Sequence, residues 1–239
     1  MDAASLSPDE HRALAGLTTD LTRVFGAGLE AVAAYGLHHP SPPPRTVHAI
    51  ALVERLSFDD LARCAPLVSA WRRAGLAVPL ILEREEFRRT LDVFPLEYGD
   101  IIAHHVLVAG RDFFGEARVA PEDVRRACEL AAKSHLIHLR EGFLEAGGEP
   151  RATARLIAAS AAPLRALLAN IARLAAGPDA EVADTAERQI GIPAAVVREV
   201  LASGAGQDSS IAEPSALLGR YIDAAERMWE FVDTWRGRA

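Results

Sequence analysis

Few side chains in this chain of 239 residues combine chemical reactivity with a spacing that would let them act together. His48 sits inside an apolar run, and with His38 or His39 in the loop before it could offer nitrogen ligands to a softer divalent ion. A single strand histidine facing a partly buried cleft needs no such role. His104 and His105 are sequence neighbours, which point apart in either helix or strand and so make a poor joint metal site. Asp92 and Glu97 bracket an apolar Val93–Leu96 segment. They can serve as catalytic carboxylates, or equally fix a turn and pair with arginines. Cys64 and Cys128 have the spacing of neither a zinc ribbon nor a redox pair and read as buried, unreactive thiols. No nucleophile elbow, Walker loop, dinucleotide fingerprint or metalloprotease helix occurs.

The elements that must hold these residues follow from periodicity. Leu14, Leu17, Leu21, Val24 and Phe25 give residues 8–30 a helical spacing. Ala31–Tyr35 reads as a strand ending at Gly36. The loop from His38 to Pro44 can neither continue a helix nor enter a central strand, because proline lacks the amide donor. Val47–Val53 is a near-continuous apolar run, as in a strand buried on both faces. Ser57 caps a helical stretch that runs to Arg73 and stops at Gly75. Val78–Leu82 reads as a strand, residues 83–90 as a short helix, Asp92–Glu97 as a further strand or extended edge, and Val106–Val108 as a last short strand. Strands alternating with helices predict an α/β or α+β layer.

From Pro121 onward the pattern is helical. Pro121, Glu122 and Asp123 suit a helix start, Val124, Cys128, Ala132, Leu136, Leu139 and Phe143 form one stripe, and Gly147-Gly148 end it. Glu129 and Lys133 have the spacing of an i, i+4 ion pair. Further helices are expected over 151–176, bent at Pro163, over 179–203, with Pro193 opening a new segment, and from Pro214. The last carries Leu218, Ile222, Ala225, Trp229 and Val232 on a stripe that a helical bundle would cover. Residues 203–213 read as a mobile loop. The expected division is an α/β domain over 1–115 and a helical bundle domain over 116–239.

Composition narrows the classes of function. Half the residues are apolar and a quarter charged, which excludes a disordered chain. A net charge of −7 without a basic run disfavours nucleic acid as a partner. The N-terminal residues lack the apolar core of a secretory signal. Arg155, Arg165 and Arg173 interrupt the longest apolar stretch, which argues against a membrane span and leaves the cytoplasm as the expected compartment. Lys133 is the one lysine among 26 basic residues, a mark of a GC-rich genome.

The succession Tyr35-Gly36, apolar strand, helix, Val78–Leu82, Leu91–Glu97, then Gly110-Arg111-Asp112 and a long helix containing Val124–Leu130 and Leu136–Arg140, resembles a group of bacterial nucleotidyltransferase-like proteins. The resemblance spans roughly residues 20–235. It implies a nucleotidyltransferase-like α+β fold, a mixed sheet flanked by helices, followed by an all-α bundle. In such enzymes Mg²⁺ neutralises phosphate charge and aligns the attacking oxygen. Two carboxylates two residues apart on one strand share a face and bind it with a third, and a Gly-Ser turn cradles the triphosphate. Aligned to that pattern, Gly36 is followed by Leu37 instead of serine, and the paired carboxylates fall on Thr46 and His48. No Asp or Glu occurs between Glu30 and Glu54, so a slip in alignment does not restore them. Asp92 or Glu97 would be the third acid, and Lys133 and Arg140 would meet phosphate or else lie on a solvated face. The resemblance therefore implies a pseudoenzyme that binds a ligand or protein. The alternative is an active Mg-dependent nucleotidyltransferase acting on a small molecule or protein, for which Mg²⁺ and a nucleoside triphosphate would be required. A third reading is an interaction protein or homodimer built through the helical domain, with Trp229 and Trp235 as anchors.

Overall fold

The computed structural model of the protein describes residues 6–37, 45–176, 181–204 and 211–236. His38, His39 and most of the 203–213 loop fall outside them. The chain divides into two compact units, Met1–Val119 and Ala120–Ala239.

The first unit opens with α1 (Pro8–Phe25), started by a capping box in which Ser7 and Glu10 satisfy each other's backbone amides. Leu14, Leu17, Leu21 and Val24 are its buried stripe. Gly26, at φ 58°, ends it five residues earlier than the apolar spacing suggested, so residues 29–30 already belong to β1 (Leu29–Tyr35). β2 (His48–Val53) pairs antiparallel with β1, from Ala31 opposite Leu52 to Tyr35 opposite His48. Next come α2 (Phe58–Cys64), capped by Ser57, and α3 (Val68–Arg73), which ends where Gly75 takes φ 84°. β3 (Leu80–Glu83) runs parallel to β2. Then follow α4 (Arg84–Arg89), α5 (Pro95–His104), β4 (Val106–Gly110), antiparallel to β1, and the single turn α6 (Phe113–Glu116).

The mixed sheet has the order β3-β2-β1-β4. One face packs on Leu14, Leu17, Leu21 and Trp71, the other on Phe87, Tyr98, Ile101 and Phe114. Its centre is made of small side chains: Ala31, Ala33, Ala34, Ala49 and Ala51 are all buried. Alanine has little β propensity of its own, so burial on both faces is what holds these residues in strands.

Residues 92–97 are not the strand that their apolar content suggested. Residues 91–93 form a turn, and Pro95 stands in the first turn of α5, where its missing amide is no loss. The buried Pro95, Tyr98 and Ile101 recur at helical spacing, and that periodicity decides the segment.

The second unit is a helical bundle of α7 (Pro121–Glu145), α8 (Pro150–Ala176), α9 (Val182–Thr185) with the π-turn Ala186–Ile190, α10 (Ala194–Ser203) and α11 (Pro214–Thr234). Cys128, Ala132, Leu136 and Leu139 of α7 are buried, as are Tyr221, Ala225, Met228 and Val232 of α11. The α11 stripe is thus covered within the unit, with Ile222 and Trp229 at its flanks. α8 runs through Pro163 without interruption, because Ala159, whose carbonyl loses its i+4 donor there, faces solvent. By length and composition alone α8 could cross a membrane. Its buried Ile157, Leu164, Leu168 and Ile171 instead belong to the core of the bundle.

Candidate functional site

The end of the sheet where β1 leaves and β2 enters carries the residues singled out in the sequence. β1 passes into Gly36, whose φ of 70° lies in the left-handed region that glycine adopts without strain, and Leu37 turns inward. Val47 is buried and bridges to Leu76, so Thr46 and His48, one residue to either side, emerge on the opposite face and are exposed. His48 lies beside its cross-strand neighbour Tyr35, ring centroids 5.6 Å apart. Desolvation raises the phenol of Tyr35 above its ordinary pKa, so that it is a neutral donor at physiological pH.

An ion pair that the sequence did not reveal holds this end in place. Arg45 donates from Nη2 to Oε2 of Glu10 at 2.8 Å, from Nε to Oε1, and from Nη1 to the carbonyl of Leu37 at 3.2 Å. One guanidinium therefore ties together α1, the exit from β1 and the approach to β2. The Arg45 hydrogen bond is the main reason that the Glu10 carboxyl falls from an ordinary 4.5 to about 2. The acid tied to this turn is thereby already engaged by a cation.

His105 stands one position before β4, next to Val106, which pairs with Ala34. One ring nitrogen lies 2.9 Å from Asp112 Oδ1 and the other 3.2 Å from the carbonyl of Ile102. Asp112 also accepts from the Gly115 amide at 2.8 Å, the largest cause of its lowered pKa. His104 turns to Asp100 at 3.3 Å. The two adjacent histidines thus have different partners, joined by an α5-to-β4 junction that spacing alone could not disclose.

Asp92 and Glu97 are exposed, one in the turn after α4 and the other in the first turn of α5. Among the described residues no group of three or more His, Cys, Asp or Glu is placed to hold a metal ion. In the second unit, Lys133 Nζ lies 3.6 Å from the centroid of the Trp229 ring, and Arg140 Nη2 lies 3.2 Å from Glu226. The expected Glu129–Lys133 pair does not form. Glu129 accepts from Arg125 at 2.7 Å, and the ammonium takes the indole face instead.

Thr46 hydroxyl and His48 imidazole do not suit Mg²⁺, a hard ion that takes carboxylate and water oxygen. The exposed face can instead present a hydroxyl and an imidazole to a bound molecule.

The fold is that of a nucleotidyltransferase. The structure of a spectinomycin adenyltransferase, AAD(9) from Enterococcus faecialis with ATP and spectinomycin, matches with a TM-score of 0.57 at 9% identity, covering 90% of this chain and 99% of that one. At that identity the likeness shows the fold alone. No protein-family model matches the chain, and no curated protein does.

Proposed function

We propose that this protein is a binding module on a nucleotidyltransferase scaffold that has lost metal-dependent nucleotidyl transfer. One observation carries the reading: the exposed positions beside Gly36 at the start of β2 are Thr46 and His48, neither of which supplies an anionic oxygen. Glu10, the acid linked to that turn, is neutralised by Arg45. Without clustered carboxylates nothing anchors a divalent ion beside a triphosphate, and the in-line geometry has nothing to hold it. The similar adenyltransferase structure contains ATP and spectinomycin. A nucleotide is accordingly the first ligand to try, with Tyr35 and His48 as its contacts.

The test is a transfer assay with labelled nucleoside triphosphates, Mg²⁺ or Mn²⁺, and small-molecule and protein acceptors. The expected result is no labelled product from the wild-type chain. Robust metal-dependent transfer would overturn the proposal. A second reading, an active enzyme using Asp92 and Glu97, rests on the exposure of both carboxylates. It predicts transfer that is lost in Asp92→Ala and Glu97→Ala.

A further inference from the structure

The opposite end of the same sheet, where β1 begins and β3 and β4 end, carries a concentration of positive charge. A groove of about 420 Å³ lies there between α4 and the segment from Arg111 to Arg118. Phe87, Leu91 and Phe113 contribute apolar surface to it, and Arg84, Arg88, Arg111 and Arg118 line it. Two acids, Glu85 and Glu116, share the lining, so the groove carries a net positive charge in a chain whose formal charge is −7.

The arginines are held in position before any ligand arrives. The guanidinium carbons of Arg84 and Arg111 lie 5.3 and 5.1 Å from the centroid of the one Phe113 ring. Arg84 is also 3.0 Å from Glu30, Arg111 is 2.7 Å from Glu116, and Arg88 is 2.7 Å from Glu85. Among the described residues Arg118 donates to uncharged groups, the carbonyls of Gly115 and Ala117, at 2.7 and 2.6 Å. The backbone fixes where Arg111 starts. Gly110 takes φ 82°, and a Cβ there would lie 2.0 Å from the carbonyl oxygen of Glu30, so only glycine brings the chain this close to β1. The Arg111 amide then donates to that same oxygen at 3.1 Å.

We propose that this groove binds a phosphorylated small molecule, its phosphate oxygens on Arg84, Arg88, Arg111 and Arg118 and its apolar body on Phe87 and Leu91. Guanidinium forks match phosphate geometry. A multivalent anion is favoured over a single carboxylate, because it must compete with Glu85 and Glu116 for the same arginines. The volume falls within the usual range of small-ligand sites, roughly 300–1,000 Å³. This site lies at the far end of the strands from Tyr35 and His48 and stands independently of whether transfer has been lost.

Calorimetric titration of the full chain with ATP and with inorganic tripolyphosphate tests the proposal. Both should bind with an affinity that falls as salt rises, and ATP should bind several-fold tighter because of the apolar floor. Arg111→Ala should weaken both probes at least tenfold. Arg118→Ala, which removes no ion pair of the fold, should do so by a smaller factor and guards against a folding defect in the first variant. Arg12→Ala, on the exposed face of α1, should leave both affinities unchanged. Absence of binding by both probes, insensitivity to both groove variants, or equal loss in Arg12→Ala would each overturn the groove as the phosphate site. Equal affinity for ATP and tripolyphosphate would overturn the role given to Phe87 and Leu91.

Discussion

Replacing Glu10 with glutamine isolates what the Arg45 clamp contributes and gives it a pH signature. In the folded chain the carboxyl sits at about 2 against an ordinary 4.5. A separation of that size corresponds to roughly 3 kcal/mol if nothing screens the pair. The side chains of Arg45 and Glu10 keep 25% and 16% of their surface exposed, and solvent screening reduces the contribution to about 1–2 kcal/mol. Because the folded-state value is depressed, the stabilisation is fully present above pH 4.5 and is lost as the pH falls through 2. The measurement is urea unfolding followed by Trp71, which is buried in the first unit and bonded to Asp20 at 3.0 Å. Trp229→Phe and Trp235→Phe in the background leave Trp71 as the only indole. Wild type should exceed Glu10→Gln by about 1–2 kcal/mol at pH 7, and the two should converge near pH 2. A difference that persists undiminished to pH 2, or none at pH 7, refutes the argument.

Three further outcomes follow from geometry. Gly110→Ala should destabilise the first unit by about 3 kcal/mol, through the left-handed φ and the collision with Glu30, and an unchanged urea midpoint would contradict that strain. His135 is half-buried beside Tyr221, 2.6 Å from its hydroxyl, and desolvation lowers it to about 4. Below pH 6.5 the unfolded chain takes up a proton that the folded one refuses, so stability of the second unit falls from pH 6.5 to 4, and an NMR titration of the His135 ring should show a midpoint near 4. Burial raises the Cys128 thiol to about 12, so a thiol reagent should leave it unmodified in the native protein at pH 8 and reach it on unfolding.

The helices were legible in the sequence because caps and periodicity agreed. Ser57, Pro121 and Pro214 start helices as expected, and Gly75 and the Gly147-Gly148 pair stand where they end. β2 was legible as a run too apolar for anything but a central strand. The segment around Pro95 misled, since Val93, Phe94 and Leu96 mimic a strand while the decisive spacing, from Pro95 through Tyr98 to Ile101, extends beyond it. The positions of Thr46 and His48 on one face followed from alternation. The Glu10–Arg45 clamp joins residues 35 apart, and the arginine groove gathers residues from α4 and from beyond β4. Neither has a local signal, because each exists only once the sheet order β3-β2-β1-β4 brings those ends together.

The alanines at the centre of that sheet make its tolerance to change lopsided. A core of leucines can lose methylene groups by degrees, but Ala31, Ala33, Ala34, Ala49 and Ala51 have only a methyl to give, and glycine is the sole step down. Every other replacement adds bulk between two layers already in contact, a change that typically costs about 1–3 kcal/mol. Variation in this family of strands should accordingly be sparse at the middle and concentrated at the ends, which is where both surfaces able to meet a ligand are found.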